Sequence, residues 1–127
     1  MYWLPVLIYC SIIYLQSAYP PLKSVPHLPY FDKALHFSAY TLLSILFFRA
    51  YRTTRFNTRI KTVMVFSILS SALYGVSDEI HQHFVPYRHA DFLDVLADII
   101  GSISGAYFYQ FILSKLSVSN RDRTLKR

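Results

Sequence analysis

Apolar residues gather into four runs, about Trp3 to Tyr19, Ala34 to Tyr51, Ile60 to Gln82 and Phe92 to Leu113, and polar residues collect in the gaps between them. A helix on a soluble core shows one polar face, but most of these runs are apolar on every side. That is the signature of a helix surrounded by lipid. At 1.5 Å rise per residue an 18-residue helix covers roughly 27 Å, close to the hydrocarbon thickness of a bilayer. The pattern predicts an all-α fold, a four-span transmembrane helical bundle. Its spans cover residues 3–19, 34–51, 60–82 and 92–113, within one domain of residues 1–127.

The gaps carry the breakers. Pro20, Pro21, Pro26 and Pro29 fill the first gap, where locked backbone angles and missing amide donors argue for an extended cover rather than a helix. Pro86 disfavours helix at Val85 and separates the third run from the fourth. The first run has no preceding Lys or Arg, and Pro20-Pro21 stands where small cleavage-site residues belong, so a retained span is expected rather than a signal peptide. Residues 114–127 read as a polar, basic tail with frayed structure from Leu116.

Composition sharpens this picture. The chain is 54% hydrophobic and 16% charged, greasier than an ordinary soluble domain. Its net charge of +6 is unevenly spread. Arg49, Arg52, Arg55, Arg59 and Lys61 crowd the second gap, and Lys115, Arg121, Arg123, Lys126 and Arg127 fill the tail, with Asp122 the only acid among them. Lys23, Lys33 and Arg88 on the other side face Asp32, Asp78, Glu79, Asp91, Asp94 and Asp98. Basic loops stay cytoplasmic, so both termini are expected inside and the acidic, histidine-bearing end outside. The basic stretches carry no nucleic-acid motif beyond charge, which argues for topology signals and contacts with anionic membrane lipids, not nucleic acid. Cys10 stands alone, so no internal disulfide is available.

The acidic end has helical order. Lys33, His36 and Tyr40 fall on one face of the second run, with Asp32 one turn before His36. Ser67, Ser71, Gly75, Asp78 and Gln82 step by four, four, three and four along the third run. Asp91, Asp94, Asp98, Gly101 and Gly105 step by three, four, three and four along the fourth, ending in a GxxxG. Small residues admit a neighbouring helix, so the third and fourth runs are expected to pack as a hairpin, tight below and polar above; the GxxxG leaves a dimer equally open. Ionisable groups beside a span are functional candidates. A purely structural network that fixes the packing explains the same residues.

Among chemistries, capture of an anion near the headgroup level is the most direct, with Lys33, His36 and Arg88 as donors and Asp78, Asp91 and Asp94 as orienters or acceptors. Asp32, Tyr40, Glu79, Gln82 and Asp98 also belong to this ligand-binding set. For a metal, Glu79 with His83, Asp78 with His81, and His89 before Asp91 are the available pairs; none matches a metal motif, and no metal or cofactor is expected. Ser77 has only His81 at helical spacing and no glycine-rich elbow, so nucleophilic catalysis lacks a signature. A proton-coupled transporter would need ionisable groups in the inner halves of the spans, which lack them.

At these residues the chain resembles the VanZ-like family of small bacterial membrane proteins. The likeness rests on Asp32-Lys33, His36 and Tyr40, then Ser77-Asp78-Glu79, Gln82, Phe84, Pro86 and Arg88, then Asp91, Asp94, Gly101 and Gly105. Tyr87 stands where a glycine usually follows the proline, and Asp98 where an asparagine is usual. The resemblance implies a multi-pass protein of the bacterial inner, cytoplasmic membrane and a link to teicoplanin resistance, with no known reaction. The partners it brings are a lipid-linked cell-wall precursor or the glycopeptide itself. The competing possibility is an intramembrane enzyme, metal-dependent or acid-base, acting on lipid headgroups or wall precursors.

Overall fold

The computed structural model describes residues 2–19, 30–54, 59–86 and 88–125, with side chains through residue 117. The proline-rich gap with Lys23, the position of Arg55, and Tyr87 lie outside the described residues, as do the side chains of the basic tail beyond residue 117. Four helices follow in order: α1 (Trp3–Ala18), α2 (Phe31–Tyr51), α3 (Ile60–His83) and α4 (Phe92–Leu125). No strand occurs among the described residues.

The helix ends follow local chemistry. Asp91 caps α4: its Oδ1 accepts the Leu93 amide at 2.9 Å, satisfying one of the free donors of the first turn. Helix α3 stops at His83, three residues before Pro86. Two boundaries differ from those expected. Helix α2 starts at Phe31 rather than Ala34, drawing Asp32 and Lys33 into its first turn. Helix α4 continues to Leu125 instead of ending near Leu113; no proline or glycine interrupts the polar tail, and intrinsic propensity carries the helix onward.

The outer surface is apolar, and the interior sets polar side chains among apolar ones such as Leu43, Phe48 and Val63. Leu7, Leu73 and Ile100 are 62%, 66% and 56% exposed, whereas Ser44, Ser67, Ser71, Asp98 and Ser102 are wholly buried. Helix α3 and residues Phe92–Ser117 of α4 are long and apolar enough to cross a membrane, yet only 22% and 28% of their most apolar windows are buried. A soluble core helix of that hydropathy would be mostly covered, so the exposed greasy surface calls for lipid or a partner.

The close contact that organises the bundle is between α2 and α4. A Cβ on Gly101 or Gly105 would run into the backbone carbonyls of Phe37 and Thr41, respectively. Thr41 Oγ1 donates at 3.1 Å to Gly101 O across the same seam. This corrects the expected pairing of stripes: the GxxxG seats α2, within the chain, and not the hairpin partner α3. Only the α3 glycine meets α4, where a Cβ on Gly75 would lie 2.7 Å from Asp98 Oδ2. Below it, Ser102 Oγ donates to Ser71 Oγ at 2.8 Å, and Ser71 Oγ donates to Tyr40 O at 3.2 Å.

Candidate functional site

All four helices bring their polar ends to one end of the bundle: the last turn of α1, the first turns of α2 and α4, and the last turns of α3. The basic residues Arg49, Arg59, Lys61 and Lys115 lie at the opposite end. The sequence placed Lys33, His36 and Tyr40 on one face, and that face turns into the bundle, where each finds α3 or α4.

Lys33 bridges two acids of α4, its Nζ donating to Asp91 Oδ2 at 2.6 Å and to Asp94 Oδ1 at 2.9 Å. These partners raise the ammonium pKa, the hydrogen bond that Lys33 donates to Asp91 most. In return the Asp91 carboxyl is held below its ordinary range, first by Lys33 and then by the Leu93 amide. Asp94 is buried, with 5% of its side chain exposed, while Asp91 stays partly open at 42%.

One turn deeper, His36 stands between two buried carboxylates. Its Nδ1 is 2.9 Å from Asp98 Oδ1, and its Nε2 is 3.8 Å from Glu79 Oε1. Glu79 spends its other oxygen on the chain start of α4, where Oε2 accepts the Asp91 amide at 3.1 Å. Glu79 Oε1 and Asp98 Oδ2 are buried without a hydrogen-bond partner, and so is the Tyr40 hydroxyl. A buried polar atom left without a partner costs roughly 1–3 kcal/mol. Each such atom needs a partner that the neighbouring side chains do not supply, such as a water or an ion.

Asp78 turns away from Glu79, as adjacent helical positions must, and accepts from Gln82 Nε2 at 3.2 Å. Arg88 is placed differently from a carboxylate clamp. Its Nη2 donates to Gln16 O at 2.9 Å and to Tyr19 O at 3.1 Å, so it caps the carboxyl end of α1. A weaker contact of 3.5 Å reaches Gln82 Oε1. Beside it a cavity of about 370 Å³ opens between α1, α2 and α3, bordered by Gln16, Asp32, His36, Asp78, Gln82 and Arg88.

The structure therefore gathers two groups. Lys33, His36, Glu79, Asp91, Asp94 and Asp98 form an acidic, buried cluster between α2, α3 and α4. Asp32, Tyr40, Asp78, Gln82 and Arg88 line the neighbouring cavity, which His36 shares. Two histidines of the metal pairs weighed in the sequence go elsewhere: His81 stacks on Tyr14 and lies 3.4 Å from Ser17, and His83 is exposed beside Phe84. Gln16 and Ser17 of α1 were not singled out in the sequence, because a lone amide at the end of a plain apolar run carries no periodic signal.

An all-helical bundle with an apolar surface and a buried polar end defines the class, a small membrane-type protein. More narrowly, the chain belongs to the VanZ/LLP1 family, whose model matches residues 3–113. Among curated proteins it is similar to an uncharacterized protein of the fission yeast Schizosaccharomyces pombe, 27% identical over 90 residues. That match takes in 71% of this chain and 53% of the relative, so the chain spans about half the length of its relative. No solved structure matches the chain.

Proposed function

We propose that the protein is a four-span component of a bacterial cytoplasmic membrane, termini inside, that holds the polar headgroup of a lipid or lipid-linked wall precursor in its outer cavity. The observation that carries this reading is the cavity of about 370 Å³, bordered by Arg88, His36, Gln82, Asp78 and Asp32 and set in an otherwise apolar surface. Ligand sites are concave, largely apolar and fitted with a few convergent polar groups. A headgroup seated there keeps its acyl or isoprenoid chain beside α1 and α2, in lipid. Family membership supports the setting, and the resemblance to VanZ-like proteins adds the physiological consequence, a change in teicoplanin susceptibility.

The test begins with purification in mild detergent and extraction of retained lipid. Wild type is expected to keep one lipid class enriched over the bulk membrane, and Asp78→Asn is expected to lose it while remaining folded. Retained lipid that mirrors the bulk membrane in both proteins would end the reading. In a bacterial host, wild type should shift teicoplanin susceptibility and folded Asp78→Asn should not, vancomycin serving as the comparison.

A second reading is a membrane enzyme acting on the same headgroups. The observation favouring it is the His36 imidazole between Glu79 and Asp98, an arrangement suited to moving a proton. Headgroup release from a lipid precursor by wild type, and none by folded Glu79→Gln, separates it from simple binding.

A further inference from the structure

We propose that the polar end of the bundle holds one divalent cation, ligated by His36 Nε2 and Glu79 Oε1, with Asp98 beside them orienting the imidazole. His36 Nε2 and Glu79 Oε1 face each other at 3.8 Å, beyond hydrogen-bond range, and Oε1 has no other partner although the Glu79 side chain is 4% exposed. Two buried acceptors, or a donor and an acceptor that fail to meet, leave that space electrically unfilled.

An ion fits the dimension. With bond lengths near 2.0–2.2 Å, a nitrogen and an oxygen on one zinc ion at the tetrahedral angle lie about 3.4 Å apart. A closure of a few tenths of an ångström, within the reach of the Glu79 side chain, brings the pair to that distance. The other half of the imidazole is already arranged as metal-binding histidines require. Nδ1 is 2.9 Å from Asp98 Oδ1, so an Nδ1 proton donated to that carboxylate leaves the Nε2 lone pair pointing toward Glu79.

The wider donor set agrees. One donor atom from each of His36, Glu79 and Asp98 falls within 4.8 Å of the others, and the same holds for Asp32, His36 and Asp94. His36 is common to both triads, and the ion is assigned to the one that holds the unpartnered oxygens of Glu79 and Asp98. Charge points the same way: Lys33 is already shared by Asp91 and Asp94. One imidazole cannot neutralise both Glu79 and Asp98, whose second oxygen is buried without a partner. Mixed imidazole and carboxylate donors suit zinc or manganese. The cavity that reaches Asp32 and His36 supplies a path of entry. The inference goes beyond headgroup binding and stands apart from it, since the ion is measured alone.

The experiment uses the full chain in detergent, stripped with chelator, desalted, and equilibrated with Mn²⁺ or Zn²⁺ as the only addition. Elemental analysis is expected to find one ion per wild-type chain, and thermal unfolding to rise with the logarithm of ion concentration. His36→Gln and Glu79→Gln, checked for helicity and a single elution peak, should weaken binding by at least tenfold. Asp98→Asn should weaken it by about 10- to 100-fold, the usual effect of losing an outer-shell partner. His83→Gln, at an exposed position, should bind as wild type does. Where a site variant does not fold, the wild-type stoichiometry and thermal shift carry the test. Stripped wild type that takes up no ion and shows no thermal shift overturns the proposal. Folded His36→Gln that binds like wild type, or loss of the ion in His83→Gln, overturns it equally.

Discussion

Lys33 shows how much of the polar end depends on single side chains. It joins an open carboxylate, Asp91, to a buried one, Asp94, so the two halves of the bridge differ in worth. Lys33→Met would strand the Asp94 charge, and breaking a buried pair costs roughly 3–5 kcal/mol. Its partly exposed ammonium lowers that to about 2–3 kcal/mol, read as a drop in the unfolding midpoint in detergent. Asp91→Asn keeps a side chain able to cap α4 and should lose less than Lys33→Met. The pH dependence has a definite sign. Asp91 is held below its ordinary pKa, so its contribution is complete above about pH 4 and is lost as pH falls through the lowered value. A stability profile of wild type should therefore fall on the acid side of pH 4, and the Asp91→Asn profile should lack that component. Identical profiles would mean that the bridge to Asp91 does not form in solution.

At the scale of the helices, the seam between α2 and α4 is the least forgiving contact. The atoms opposing Gly101 and Gly105 are backbone carbonyls of α2, which cannot swing aside as a side-chain tip can. Gly101→Ala should force the helices apart and cost about 1–3 kcal/mol, with the buried cluster above loosened as well. Ile103→Ala, on the exposed side of the same helix, should change the midpoint little in comparison. Equal midpoints for the two variants would remove the close approach. The glycines were legible in the sequence and their partner was not. A step of four puts Gly101 and Gly105 on one face, but nothing in the spacing says which helix lies against it. Likewise the periodicity found Lys33, His36 and Tyr40 as a face, and Asp91, Asp94 and Asp98 as another. It could not pair Lys33 with Asp91 or His36 with Asp98, contacts that bridge 58 and 62 residues of chain. The His36, Glu79 and Asp98 group was invisible for the same reason: its donors come from three helices, whereas the sequence offers motif spacings only within one. Arg88 was correctly set at the polar end. Its grip on the carbonyls of Gln16 and Tyr19 depends on the arrival of α1, which an apolar run does not announce.

For the molecule as a whole, the charge pattern and the packing make one joint statement that can be checked directly. If all four helices cross the membrane, the polar end with His36, Glu79 and Arg88 and the basic end with Arg49 and Lys61 must lie on opposite sides. Positive charge retained on the cytoplasmic side then puts the cluster outside. The shortest element decides whether four crossings are physically reasonable: α1 has 16 residues, roughly 24 Å of helix, a little less than the hydrocarbon layer. A modest local thinning, together with Trp3 and Tyr19 at its ends, covers that difference. With Cys10 replaced by serine, Phe84→Cys lies at the polar end, where the native side chain is 77% exposed, and Thr53→Cys lies at the basic end. A membrane-impermeant maleimide added to intact cells should label Phe84→Cys, and should reach Thr53→Cys only after permeabilisation. The reverse pattern would turn the protein over and put the cluster in the cytoplasm. Labelling of both sites in intact cells would mean that α3 does not carry the chain across, and its apolar surface would then need a protein partner in place of lipid.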